Sequence, residues 1–221
     1  MSAEPAWPAG VGRLILDETG STNAEALARA AGPVAPLWVL ARRQIAGRGR
    51  RGRAWSDPPG NFAASLGLRL DDPPARMALR SYVAALALLQ ALEGLTGLGA
   101  ALALKWPNDV LLNGGKLSGI LLESGTGGVL AVGIGVNLRH APPAEPGAAF
   151  APVALRPETG FDIGPEALLA HLAPAFGQWE DRLRIWGFPP LRAAFRARAA
   201  RLGETITART LADSLTGRFE T

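Results

Sequence analysis

Gly47-Arg48-Gly49-Arg50-Arg51-Gly52-Arg53, running into Ala54-Trp55, sets four arginines among three glycines in seven residues. Glycine lets the backbone approach a ligand closely, and each guanidinium offers a planar fork of donors. Such a segment wraps a phosphate with backbone amides and side-chain charge together. The same composition also fits a basic surface loop or a nucleic-acid contact. The lysines narrow the choice. Among 23 Lys+Arg the lysines are Lys105 and Lys116. They bracket the run Lys105-Trp106-Pro107-Asn108-Asp109-Val110-Leu111-Leu112-Asn113-Gly114-Gly115-Lys116-Leu117-Ser118-Gly119. A lysine ammonium is a compact point charge on a flexible stem and can follow a group through a reaction, which a guanidinium fork does less well. Either the two lysines mark a reaction centre or their closeness is chance.

Composition bounds the rest. With 221 residues the chain has room for a sizeable core, and 48% apolar against 19% charged residues describe an ordinary globular protein. A net charge of +4 is too mild to argue for DNA by itself. Cysteine is absent, which excludes disulfides and thiolate metal sites, and the isolated His140 and His171 do not build a histidine one. The N-terminus lacks a basic region followed by an apolar core, and the most apolar stretch, near Tyr82 to Leu92, is short and flanked by charge. These features predict a cytoplasmic protein with no membrane partner.

The elements that must position the basic residues follow from pattern. Leu14-Ile15-Leu16 predicts a first strand, and Ser21-Thr22-Asn23-Ala24-Glu25 opens a helix, with Thr22 as N-cap and Glu25 completing a capping box. The polar triplet there also presents donors to an anion or a small polar ligand. Leu37 to Ala41 and Asn61 to Leu70 predict strands, and a helix runs from Arg76 to Leu95, closed by Gly97 and Gly99. Short β-prone runs at Leu102–Trp106, Val110–Leu112, Leu117–Glu123 and Val129–Leu138 are separated by glycine-rich turns. They predict an antiparallel meander, not βαβ units. Gly133-Ile134-Gly135-Val136-Asn137 lies late in a strand, so it is no dinucleotide-binding turn. A Pro-rich loop from Pro142 to Pro157 leads to helices at Pro165–Trp186 and Pro189–Arg201. Thr205–Arg209 and Gly217–Glu220 predict the first strands of a further small β unit that the chain leaves incomplete.

Taken in order, these motifs resemble the biotin–protein ligases. The resemblance rests on Ser21-Thr22-Asn23, Gln44 with Gly47-Arg48-Gly49-Arg50-Arg51-Gly52, Lys105-Trp106-Pro107-Asn108-Asp109, Lys116-Leu117-Ser118-Gly119-Ile120 and Gly133-Ile134-Gly135-Val136-Asn137, and covers roughly residues 14 to 203. It implies an α+β fold in which a mixed, largely antiparallel sheet packs with helices, as in the biotin–lipoate ligases and the related class II aminoacyl-tRNA synthetases. It also implies a catalytic domain over 1–203, with 204–221 beginning a truncated SH3-like β domain. The implied reaction joins biotin and Mg–ATP into biotinyl-5′-AMP, then passes biotin to a lysine of the biotin carboxyl carrier domain of a carboxylase.

By the same resemblance, Arg50, Lys116, Lys105 and Asp109 form the catalytic set. Arg48, Gly49 and Arg50 lie over the biotinyl and phosphate groups in a loop that orders around ligand, with Gly47 and Arg51 in the same segment. Ser21, Thr22, Asn23 and Gln44 hydrogen-bond the ureido ring, and Gly119 gives close backbone access. Lys116 holds carboxylate and phosphate oxygens during transfer, Asn108 binds near the phosphates, and Asp109 is the expected Mg²⁺ link. Asn137 suits the adenine edge, Trp55 or Trp106 walls the pocket, and Trp106 otherwise reads as core. Some members carry an N-terminal DNA-binding module; only about twenty residues precede Ser21, so DNA is not an expected partner. A homodimer formed through an exposed strand edge is left open. The rival readings are a lipoate–protein ligase, a non-catalytic biotin or nucleotide sensor, and a nucleic-acid-binding protein.

Overall fold

A computed structural model describes residues 5–32, 36–144, 149–209 and 214–220. In chain order, β1 (Gly12–Leu16), α1 (Thr22–Ala30), β2 (Leu37–Ala41) and β3 (Phe62–Arg69) come first. Helices α2 (Pro74–Met77) and α3 (Arg80–Thr96) precede β4 (Leu102–Lys105), β5 (Asp109–Leu112), β6 (Gly115–Lys116), β7 (Ser118–Ser124) and β8 (Val129–Val136). The chain continues through α4 (Leu155–Thr159), α5 (Pro165–Trp186) and α6 (Pro189–Ala197) to β9 (Thr205–Arg209) and β10 (Ser214–Arg218).

The main sheet has five strands in the order β1-β2-β3-β8-β7. The β1–β2 pair is parallel and every other pair in this sheet is antiparallel. Because side chains alternate across a strand, its two faces carry different chemistry. One face presents Trp38, Leu40, Phe62, Leu66, Val132, Ile134 and Ile120 to the main core shared with α3 and α5. The other is lined by small residues: Ala63, Ser65 and Gly67 of β3 pair with Gly135, Gly133 and Ala131 of β8, and Gly135 pairs with Gly119 of β7. Helix α1 settles on part of this face, packing Ala26 with Val39 and Ala131. A Cβ on Gly67 would meet the Ala26 carbonyl at 2.8 Å, so the close approach of α1 requires glycine there. The remaining small-residue surface holds the site.

The predicted meander is real in its strands and wrong in its unity. β4, β5 and β6 form a separate three-stranded antiparallel sheet, whereas β7 and β8 return to the main one. Asn113 and Gly114, at φ 49° and 78°, make the two-residue turn between β5 and β6 that the Asn-Gly signal predicts. The predicted 76–95 helix is interrupted at Ala78 and Leu79, so α2 and α3 are distinct, and Gly97 caps α3 in the left-handed region. By length and composition the helical stretch Pro74–Thr96 is apolar enough to cross a membrane, contrary to the estimate from Tyr82–Leu92 alone. Its Val83–Leu89 segment is nevertheless wholly buried in the protein core. Arg80, 4% exposed, pairs with Asp72 and Glu180, both at 2.5 Å, and ties the start of α3 to α5.

Two further boundaries differ. Ser21, not Thr22, caps α1, accepting from the Ala24 N–H at 3.4 Å. Glu25 therefore completes no capping box; it accepts from Thr19 and pairs with Arg29. Helix α6 ends at Ala197, four residues before the predicted Arg201. The Pro-rich segment gives way to α4 at Leu155, and its residues 145–148 lie outside the described residues. β9 and β10 pair as an antiparallel hairpin, with the second strand starting at Ser214, earlier than predicted.

Candidate active site

The N-terminus of α1 and the small-residue face of the sheet build a polar floor. Gln44 Oε1 accepts from the Thr22 backbone N–H at 2.8 Å and from Thr22 Oγ1 at 3.0 Å. A backbone N–H can only donate, so the Gln44 amide is fixed in orientation and its Nε2 is presented as a donor. Ser65 donates to Asn23 Oδ1 at 2.6 Å and lies 2.8 Å from Thr22 Oγ1. Asn23 Nδ2 donates to Glu123 Oε2 at 2.7 Å and to the Leu121 carbonyl at 3.3 Å. Both ends of the Asn23 amide are therefore engaged. A Cβ on Gly133 would fall 2.2 Å from Asn23 Oδ1, which explains the bare backbone beneath it.

The Arg/Gly segment folds as a small hairpin over this floor. Arg48 and Ala54 form an antiparallel bridge, Trp55 N–H donates to the Gly47 carbonyl at 2.9 Å, and Gly49 N–H to the Arg53 carbonyl at 2.7 Å. Arg51 and Gly52, at φ 60° and 73°, make the exposed tip. Arg48 pairs with Glu123 at 3.2 Å, and Arg50 donates to Asn108 Oδ1 at 3.1 Å. Trp55 lies against the glycines of the sheet: a Cβ on Gly135 would be 2.4 Å from its Cε2, and one on Gly119 would be 3.0 Å from its Cζ3. Gly135→Ala is expected to displace this indole and lower stability by about 1–3 kcal/mol, the scale of overpacking. Denaturant midpoints should show the Gly135→Ala cost shrinking in a Trp55→Ala background, because the clash partner is gone.

Beside the hairpin, Asp109 gathers the two lysines. Its Oδ2 accepts from Lys105 Nζ at 2.6 Å and its Oδ1 pairs with Lys116 Nζ at 3.1 Å, while Asp109 itself is 4% exposed. Each ammonium also has an aromatic neighbour, Lys116 with Trp55 at 5.9 Å and Lys105 with Phe150 at 5.3 Å. Phe150 arrives on a segment laid along β6, where Lys116 N–H donates to Ala151 and Val153 N–H to Lys116. Asn137 donates to the Val153 carbonyl at 3.1 Å, and its own buried Oδ1 meets no donor. Trp106 instead turns to the core, donating to Tyr82 Oη at 2.9 Å. Among the described residues no three His, Cys, Asp or Glu side chains gather to hold a metal, and both oxygens expected to reach Mg²⁺ from Asp109 face ammonium groups.

Ser65, Glu123, Asp57 and Phe150 belong to this site and were not among the predicted residues. A serine within the apolar run Phe62–Arg69 is the one signal that could have drawn attention to Ser65. Asp57, 8% exposed, accepts from Gln44 N–H at 3.0 Å, and burial pushes its carboxyl up to about 6 from 3.8. A raised carboxyl pKa means the folded chain holds the extra proton between roughly pH 4 and 6. Through this group alone, stability falls as pH rises across that window, and the penalty is complete above it. Thermal midpoints from pH 4 to 8 should lose that component in Asp57→Asn.

Comparison with known proteins agrees with the motifs. Residues 12–138 match the model of the biotin/lipoate A/B protein ligase family. Over 213 residues the chain is 55% identical to the biotin–[acetyl-CoA-carboxylase] ligase of Paracoccus denitrificans, an alignment spanning 93% of this chain and 88% of that one. The corresponding Mycobacterium tuberculosis ligase is 36% identical over 207 residues, spanning 87% and 72%. The biotin protein ligase of Aquifex aeolicus, solved with biotin and ATP, matches the fold with a TM-score of 0.79 at 26% identity, covering 94% of this chain and 86% of that one. With the family model matching over half of its length and the Paracoccus denitrificans relative 55% identical, the chain belongs to the biotin/lipoate A/B protein ligase family.

Proposed function

We propose that the chain is an ATP-dependent biotin–protein ligase, acting in the cytoplasm on the biotin carboxyl carrier domain of a carboxylase. The observation that carries this reading is the meeting of Lys105 and Lys116 on Asp109, next to the Arg50–Asn108 contact and the polar floor of Thr22 and Gln44. The first step brings a carboxylate and a triphosphate together, and neither approaches the other until positive charge offsets their repulsion. A biotin carboxylate oxygen attacks the α-phosphorus, an O–P bond forms, and pyrophosphate leaves with the broken P–O bond. In the second step a carrier lysine amine attacks the acyl carbon, AMP leaves, and the amine loses a proton.

Gln44 Nε2 and the hydroxyls of Ser21 and Thr22 address the ureido ring, while Asn23, engaged at both ends, positions them. Lys116, Arg48 and Arg50 hold the carboxylate and phosphate oxygens, while the bare backbones of Gly47 and Gly119 admit the Gln44 amide and the Trp55 ring that border the ligand. Asn137 Oδ1, an acceptor without a donor, suits the adenine amino group. Mg²⁺ enters as part of Mg–ATP, and Asp109 serves by holding the two lysines. The outer edge of β7 is covered at Ile120 by Asn108, whereas its Leu122–Ser124 half pairs with no other strand among the described residues. That half is the natural place for a strand of the carrier, or of a second copy, to add. We also read 1–203 as the catalytic domain and the β9–β10 hairpin as the beginning of a small SH3-like unit. No part of the reading calls for DNA.

Biotin-dependent ATP–pyrophosphate exchange, run beside lipoate and a no-acid control, tests the proposal. Exchange with biotin alone is the expected result. Lipoate lacks the ureido ring that the polar floor addresses, so exchange driven by lipoate would overturn the assignment. Biotin binding without exchange would make the protein a sensor.

A further inference from the structure

β2 and β3 part company at the pair Ala41↔Ala63, so the chain beyond Ala41 loses its neighbour on that side. On the other side the ladder continues, with Ile45 N–H donating to the Thr19 carbonyl at 3.0 Å and Ala46 N–H to the Gly20 carbonyl at 2.8 Å. Gln44 N–H takes no part in that ladder and turns instead to the side that β3 has left. Asp57 Oδ2 fills the gap at 3.0 Å. Residues 45–56, the whole Arg/Gly hairpin with Trp55, lie between these two partners. The same Gln44 has its side-chain oxygen fixed by Thr22.

The choice of a carboxylate here is informative. Asp57 is 8% exposed and its Oδ1 meets no donor, so a single hydrogen bond compensates a buried acid. Burial accordingly pushes the group up to about 6. The acid is kept in spite of that cost, so what this point of the fold requires is an acceptor oxygen on Gln44 N–H. We infer that Asp57 is a positioning residue for adenylate formation, holding Gln44 and the base of the Arg/Gly hairpin in the geometry that grips biotin. This rests on the biotin-activating reading of the site.

The test uses Asp57→Ala and Asp57→Asn in the full chain, with kinetics and amide hydrogen exchange. In Asp57→Ala the KM for biotin should rise about tenfold, the scale of one hydrogen bond to a charged group, with kcat within about twofold. Asparagine keeps an acceptor toward Gln44 and should hold KM within about threefold of the parent. Amides of Gln44 and Trp55 should exchange faster in Asp57→Ala. If that variant does not fold, Asp57→Ser, with a side chain too short to span the gap, replaces it with the same expected rise. A purely structural residue would lower the melting temperature and leave KM unchanged well below it, and that outcome overturns the inference. So does failure of asparagine to restore KM. If the unsubstituted chain shows no biotin-dependent exchange, the ligase reading falls, yet the Gln44 and Trp55 amides still decide whether Asp57 holds the hairpin.

Discussion

Lys116→Ala is expected to slow biotin-dependent ATP–pyrophosphate exchange by about 10²–10³-fold, the scale of losing one preorganised charge that faces a transition state. Biotin affinity should change far less, because the proposed reading gives the ureido ring to Gln44 and the α1 N-terminus, not to this ammonium. The fold should survive. Asp109 gives one oxygen to each lysine, so removing Lys116 leaves its Oδ2 on Lys105 at 2.6 Å. Lys116→Arg tests the same point from another side: a guanidinium keeps the charge but brings a rigid fork into a space bounded by Asp109 and the Trp55 ring. It should recover little of the rate. Calorimetry with biotin and pyrophosphate exchange with saturating ATP separate binding from chemistry, and a Lys116→Ala variant that exchanges within tenfold of the parent would remove Lys116 from the catalytic set.

The parts of this site that are legible in the sequence are those whose chemistry is local. The alternation of glycine and arginine from Gly47 to Arg53, the clustering of Lys105 and Lys116, and the Asn113-Gly114 turn each announce themselves within a few residues. The family's motif order then predicts which distant segments meet. What remained hidden depends on register. Ser65 reaches Asn23 only because α1 crosses the small face of β3, and Glu123 reaches both Asn23 and Arg48 only because β7 lies at the sheet edge. Trp55 reads as a pocket wall, but the glycines that receive it are visible only once Gly119 is paired with Gly135. Asp57 sits in a Ser-Asp-Pro-Pro turn whose residues are fully explained by turn chemistry, so nothing in it suggests a buried acid. The N-cap error has a local cause: Ser21 and Thr22 are both good caps, and the tertiary demand of Gln44 on Thr22 decides between them.

Arg50→Gly is expected to leave the protein folded and to release its adenylate roughly ten- to a hundredfold faster, the worth of one hydrogen bond to a charged group. Arg50 is exposed near the hairpin tip, where substitutions cost within about 0.5 kcal/mol of stability. Its guanidinium ties the hairpin to Asn108, whose Nδ2 in turn donates to the Ile120 carbonyl of β7 at 2.5 Å. Without that tie the Gly-rich hairpin regains freedom that ligand contacts must again offset, and closure weakens. The base of the hairpin keeps its Gln44–Asp57 and Gly47–Trp55 bonds, so biotin binding should fall less than adenylate retention. An acyl phosphate anhydride that escapes meets water or any nearby amine, and both consume it. Quenched reactions resolved by chromatography should therefore show free biotinyl-5′-AMP accumulating in solution, together with biotin attached to lysines of bystander proteins. Retention equal to the parent, with the Arg50→Gly melting temperature unchanged, would show that the hairpin closes without Arg50 and would pass its assigned role to Arg48, whose counterion in this structure is Glu123.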